Sequence, residues 1–176
     1  MAWSVPMTAV AGSAFTAAQF NQYVRDNLNE TAPAKATAAN QWIVSTGASS
    51  VAARTISASS IAAMETTTST SYVDLTTPGP SISAATGTSA LVVVASSIAN
   101  SGSGFSLVSV AVGGASAVAA ADAASVGLPA GAVGARVSGA FLLTGLTAGT
   151  NTFTLKYRVS TSTGSFLDRR IGVFPL

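Results

Sequence analysis

Residues 151–159 read Asn151-Thr152-Phe153-Thr154-Leu155-Lys156-Tyr157-Arg158-Val159. Phe153, Leu155, Tyr157 and Val159 alternate with Thr154, Lys156 and Arg158. That period of two belongs to a strand with one face in a core and the other in water. A helix would place its apolar residues three and four apart. Phe105, Leu107, Val108, Val110 and Val112 alternate in much the same way. Working outward from these two segments, the spacing predicts eight strands, over residues 66–75, 81–86, 90–100, 104–112, 115–121, 135–143, 151–160 and 166–174. The separators are turn-forming: Pro78-Gly79-Pro80, Thr86-Gly87-Thr88, Ser101 through Gly104, Gly113-Gly114, Gly145 through Gly149 and Thr163-Gly164. Residues 115–131 carry the weakest strand signal, because the alanines around Asp122 also favour helix. Eight short strands with no helical stretch among them give a mainly β fold, an antiparallel β-sandwich of jelly-roll type over residues 64–176.

Ahead of the sandwich the pattern differs. Residues 1–15 read as an extended arm whose Trp3, Val5, Met7 and Val10 must find burial elsewhere. Thr16-Ala17-Ala18-Gln19 forms a capping box, and Phe15 and Phe20 stand at the two ends of a hydrophobic staple across it. Phe20, Tyr23, Val24 and Leu28 then recur at helical spacing, opposite Asn21, Gln22, Arg25, Asp26 and Asn29. A helix of about 14 residues is marginal alone, so this stripe needs a docking surface. Residues 30–40 are small, polar and marked by Pro33, as in a linker. Gln41-Trp42-Ile43-Val44-Ser45 and Ser50 through Ile56 flank a Gly47 turn and predict a hairpin, which is not stable in isolation. The expected organisation is an arm and anchoring helix over 1–30, a linker with hairpin over 31–63, and the sandwich over 64–176.

Composition narrows the chemistry. The 176 residues include 35 Ala, 25 Ser, 21 Thr and 16 Gly, with no His and no Cys. No imidazole base, thiolate nucleophile, disulfide or zinc knuckle is available. Only 8% of residues are charged, against roughly 25% in an average domain. Such a surface suits permanent packing in an assembly. The chain is not of disordered type, since it carries 18 Val and 12 aromatics. Its surplus of two cations is too sparse for nucleic acid binding. Arg169-Arg170, the one basic pair, reads as a salt-bridge feature rather than a phosphate clamp. No secretory targeting segment is expected from the opening residues. The longest strongly apolar run, Ala90 through Ala95, falls far short of a membrane span.

The six carboxylates, Asp26, Glu30, Glu65, Asp74, Asp122 and Asp168, contain no local pair of the kind a glycosidase needs. An activated Ser would need Lys in place of His, and neither Lys35 nor Lys156 is well placed. The Gly-rich turns do not open helices after strands, so they are not phosphate loops. Clustered Asp/Asn for calcium is missing. No enzyme activity, cofactor or metal is expected. Trp3 and Trp42 lie outside the sandwich and read as interface anchors.

The order of parts carries a resemblance. The stretch Trp3-Ser-Val-Pro-Met-Thr-Ala-Val-Ala-Gly-Ser-Ala-Phe-Thr-Ala-Ala-Gln-Phe-Asn-Gln-Tyr-Val-Arg-Asp-Asn-Leu28 resembles the N-terminus of minor structural proteins of tailed bacteriophages, especially those infecting actinobacteria. The 41–56 hairpin is similar to short Gly-turn hairpins of phage fibre proteins. Thr70 through Leu75, Gly145 through Arg158 and Asp168-Arg169-Arg170 resemble the small sandwich found after such N-termini. The resemblance implies a virion structural protein: a capsid decoration or head-fibre protein bound to the outer capsid surface through its N-terminal region. A minor tail or tail-tip protein with a host-surface-binding sandwich is the alternative, and a carbohydrate-binding module a third. It also implies a homotrimer, with the major capsid protein or other virion proteins as partners and a host surface glycan as a further candidate. Neither nucleic acid nor a membrane is expected as a partner. The expected partner and oligomer contacts are Trp3, Phe15, Phe20, Tyr23, Val24, Leu28, Trp42 and Ile43.

Overall fold

The computed structural model describes residues 3–130 and 134–176. It divides into two compact units, Met1–Thr55 together with Leu176, and Ile56–Pro175.

The larger unit is a two-sheet antiparallel sandwich. Its strands are β3 (Ser57–Ile61), β4 (Glu65–Thr67), β5 (Ser81–Thr86), β6 (Ser89–Asn100), β7 (Ser106–Gly114), β8 (Ser125–Leu128), β9 (Ala135–Thr144), β10 (Gly149–Val159) and β11 (Gly164–Pro175). One sheet has the order β3-β11-β6-β9, and the other β5-β10-β7-β8. Short β4 pairs β11 beside Gly164–Phe166, while β3 pairs it beside Arg169–Val173. Together β3 and β4 form one interrupted edge strand. Counted that way there are eight strands, and the sheet orders are 1-8-3-6 and 2-7-4-5, the double Greek key of a jelly roll.

The core is what the alternation predicts. Phe153, Leu155, Tyr157 and Val159 are fully buried, as are Val92, Val94 and Val173. The Tyr157 and Phe166 rings meet at 4.9 Å between centroids. One loop end is pinned by buried Asn151, which accepts from Ser116 N (2.8 Å) and donates to Thr86 Oγ1 (2.8 Å) and Thr147 O (2.9 Å). At Gly114, the last residue of β7, φ is +92° and a Cβ would stand 2.5 Å from Thr150 O, so this position requires glycine.

Three features depart from the sequence expectation. The sandwich starts at β3 rather than residue 64. Ser57-Ala-Ser-Ser-Ile61 has little strand propensity of its own and is a strand because β11 offers it an edge. Residues 115–121 contain no strand; one bridge, Val112 to Val118, is followed by a short 3-10 turn at Asp122–Ala124 and then by β8. Residues 66–75 are not one strand either. Ser69 and Ser71 form a side-chain-stabilised bend, and the chain crosses to the other sheet, where Val73 bridges Tyr157.

A bulge in β11 decides which arginine enters the core. Leu167 pairs with Ser97 and Arg170 with Ala95, so β11 carries one extra residue there. Asp168 takes φ +50° to accommodate it. The extra residue reverses the facing of the remaining β11 residues: Arg169 points inward with no exposure, and Arg170 points out. Arg169 reaches Glu65 at 3.4 Å, donates to Thr77 O at 3.3 Å, and lies 5.5 Å from the centre of the Tyr157 ring. Burial pushes the Tyr157 phenol up, and its hydroxyl donates to Gly79 O at 2.6 Å.

In the smaller unit, β1 (Gln41–Gly47) and β2 (Ser50–Thr55) form the expected hairpin. The helical segment is α-helical at Ala17–Phe20 and Asp26–Leu28 and π-helical at Asn21–Arg25. A further turn, Ala32–Lys35, lies within the stretch read as linker. Pro33 suits its first turn, where no N–H partner is needed.

Candidate functional site

Two surfaces carry the chemistry of this chain, one on each unit.

On the smaller unit the capping box forms as expected. Gln19 N donates to Thr16 Oγ1 (3.2 Å) and Thr16 N to Gln19 Oε1 (2.9 Å). Phe15 and Phe20 meet edge-on at 6.1 Å. Beyond them the apolar stripe is not one continuous face. The π-helical stretch adds a residue to the turn and rotates the last helical residues about the axis. Tyr23 and Val24 are half-buried, Leu28 is exposed, and Asn27 takes the buried position. Asn27 clamps the arm to the helix: its Oδ1 accepts from Ser4 N (2.8 Å), and its Nδ2 donates to Ser4 O (3.0 Å) and Tyr23 O (3.1 Å). Trp3 N donates to Ser49 O (2.7 Å) in the hairpin turn. Arm, helix and hairpin are thus joined through the backbone at residues 3 and 4. The sequence reading missed Asn27, and only the recurrence of Asn four residues after Tyr23 hinted at it.

Of the residues expected at an interface, Trp3 (42%), Phe15 (54%), Phe20 (48%) and Leu28 (58%) are exposed. Tyr23, Val24, Trp42 and Ile43 are half-buried. The structure brings Phe15 and Phe20 together in one ring contact, whereas Trp42 and Ile43 lie on β1 opposite Arg54 and Ala53. Val5 (83%) and Val10 (68%) extend the apolar surface along the arm. A concavity of about 340 Å³ lined by Met7, Val10, Phe15 and Gln19 lies beside the helix start.

The sandwich carries a polar groove of about 600 Å³ on the outside of the β5-β10-β7-β8 sheet. Its floor is Ala111, with Ala119 through Ala121 on one side and Thr70 through Tyr72 on the other. Asp122 accepts from Tyr72 Oη (2.8 Å) and from two nitrogens of Arg158, Nε at 2.9 Å and Nη2. Arg158 also lies over the Tyr72 and Phe105 rings, at 5.5 and 5.0 Å. Lys156 pairs with Asp74 at 2.6 Å. Four of the fourteen charged residues (eight basic, six acidic) therefore meet here. The hydrogen bonds from Arg158 and then Tyr72 hold the Asp122 carboxyl below the usual carboxylate range. Each cation faces a carboxylate, so the groove is neutral and pre-ordered. Among the described residues no group of three or more acidic, His or Cys side chains is placed to hold a metal. No helix there is long and apolar enough to cross a membrane.

The Arg169-Arg170 pair is not a joint site, because one member is in the core and the other outside. Compared with known proteins, the chain matches no family model and no curated sequence.

Proposed function

We propose that this chain is a bacteriophage virion structural protein without catalytic activity, a capsid decoration or head-fibre protein. It binds the outer capsid surface through its N-terminal region and acts as a homotrimer. The observation that carries this reading is the exposure of Trp3, Phe15, Phe20 and Leu28 on a unit distinct from a complete jelly roll. Large exposed apolar side chains, aromatics above all, are the usual anchors of a protein interface. The resemblance of residues 3–28 to phage minor structural proteins supports the same reading.

Attachment of this kind is apolar. On the smaller unit Arg25 pairs with Asp26 and Lys35 with Glu30, Arg54 is the one further cation of residues 1–55, and little Coulombic attraction is left to screen. The test is co-sedimentation of the full chain with particles lacking it. Retention should hold from low salt to about 1 M, where the Debye length is about 3 Å. Release over that range without unfolding would put an electrostatic contact at the interface instead.

The groove around Asp122 favours a second reading, a tail or tail-tip protein whose sandwich binds a host-surface glycan. A neutral, pre-ordered set of hydrogen-bonding groups above a small apolar floor suits a saccharide, since little side-chain freedom is lost on binding.

A further inference from the structure

A strand at the edge of a sheet points the N–H and C=O groups of alternate residues away from its one neighbour. Chains that stay single protect such edges with charge, proline, bulges or brevity. Three of the four edges of this sandwich are protected in one of those ways. The β3/β4 edge is broken between Ile61 and Glu65 and carries the Glu65 carboxylate. β5 has six residues and follows Pro78-Gly79-Pro80, and β8 has four.

β9 is the exception. Ala135–Thr144 is ten residues long, ends its sheet, and pairs β6 along its whole length with no shift of register. It contains no proline, and its one charge, Arg136, stands next to its first residue. Among the described residues no hydrogen bond other than those to β6 reaches its backbone. Its side chains are open on both faces. Ser138, Ala140 and Leu142 are exposed on the outer face, Leu142 to 59%. On the inner face Val137, Phe141 and Leu143 pack against the core yet are only partly buried, whereas Val92 and Val94 of β6 are buried completely. The edge strand of the opposite sheet, β8, has four residues against the ten of β9 and cannot cover it.

We infer that β9 pairs antiparallel with β9 of a second copy about a twofold axis, making one continuous sheet of the two. The open backbone groups call for a strand, and the sequence of β9 names it, because the strand is complementary to itself. A twofold axis through Ala140 sets residues 136–144 of the two copies opposite one another and keeps inner side chains beside inner ones. Phe141 then lies across from Gly139, Leu143 from Val137, and Leu142 from Ser138, in each case a larger side chain against a smaller. An aromatic ring over a cross-strand glycine is a stabilising pair in sheets. Arg136 meets Thr144, and the two copies of Arg136 stand about 27 Å apart, beyond the roughly 8 Å Debye length. Edge-to-edge pairing covers neither face of the sheet, so Arg136 and Arg170 stay in water. The pairing forms about eight main-chain hydrogen bonds, close to the roughly ten of a standard interface. This contact goes beyond the proposed homotrimer, because a twofold axis joins copies that belong to different trimers, as lateral neighbours on a particle surface.

Sedimentation velocity and native mass spectrometry of the full chain test this, together with amide hydrogen exchange over residues 135–144. Assembly depends on concentration, so all proteins are compared at about 10 µM. Wild-type protein should be a hexamer, a pair of trimers. Ala140→Lys sets like charges against each other across the twofold axis, and Leu142→Lys charges the edge. Each should run at half the wild-type mass. Exchange over residues 135–144 should be at least about 10-fold faster in both variants than in wild type. Ala85→Lys, on the β5 edge, should keep the wild-type mass, and all three variants should keep the wild-type circular dichroism spectrum. A dimeric wild type that becomes monomeric in the two β9 variants would support the edge contact and overturn the threefold. A wild-type trimer whose mass the β9 variants leave unchanged would overturn the edge contact and leave the homotrimer standing. A wild-type monomer would overturn both. A halved mass with unchanged exchange would overturn strand pairing as the basis of the contact.

Discussion

Deleting residues 1–30 should reduce particle binding at least about 100-fold while leaving the sandwich folded. The sandwich has its own strands and core within Ile56–Pro175. The deletion removes Trp3, Phe15, Phe20 and Leu28, each about half exposed. Aromatic side chains bury roughly 150–250 Å² each, so the exposed halves of these residues offer about 300 Å². At about 25 cal/mol per Å² that is about 7 kcal/mol per copy before association costs. In the proposed homotrimer three linked anchors act at high effective concentration. What remains of the smaller unit is the hairpin, in which Trp42 and Ile43 are half-buried rather than exposed. Co-sedimentation reads the binding, and near-ultraviolet circular dichroism with thermal unfolding reads the fold. Full occupancy by the truncated chain would place the anchor elsewhere.

Arg169→Ala should cost about 3–5 kcal/mol, the usual penalty for removing one partner of a buried ion pair. That is a large share of the roughly 5–15 kcal/mol that holds a domain together. The change leaves Glu65 without its cation, removes a donor from Thr77 O, and opens a void beside Tyr157. Arg169→Met combined with Glu65→Gln should recover most of the loss, because an apolar side chain of similar volume then faces a neutral amide. Acid gives an independent readout. Hydrogen bonds from Thr77, then the charge of Arg169, hold the Glu65 carboxyl below its ordinary 4.5. A carboxyl lowered in the folded state binds fewer protons there than when unfolded. Its contribution is therefore present above about pH 4.5 and is lost as pH falls through the lower folded value. Urea midpoints from pH 6 to pH 2.5 should fall, and Glu65→Gln should flatten part of that slope. An Arg169→Ala midpoint equal to wild type would mean that the buried cation contributes nothing.

The central strands of the sandwich were legible because alternation and burial coincide. Residues 153–159, 105–112 and 90–100 each present one face to the core, and turn residues bound them. The hidden elements depended on partners. β3 is a Ser/Ala segment that becomes a strand only against the β11 edge. β8 spans four residues, too short to show a period, inside an alanine-rich region. The inward turn of Arg169 comes from one extra residue in β11, which a period-two reading cannot place. In the smaller unit, the capping box and staple could be read from residues 15–20, whereas the π-helical stretch that buries Asn27 and turns Leu28 outward could not. The groove at Asp122 joins residues from 70 to 158 and exists only once the topology is known.

The proposed virion role is tested most directly by the number and location of copies of this chain in purified phage particles, by quantitative mass spectrometry and immunogold labelling. The account predicts hundreds of copies per particle, in a multiple of three, with label over the head. A handful of copies confined to the tail tip, or none in the particle, would contradict it.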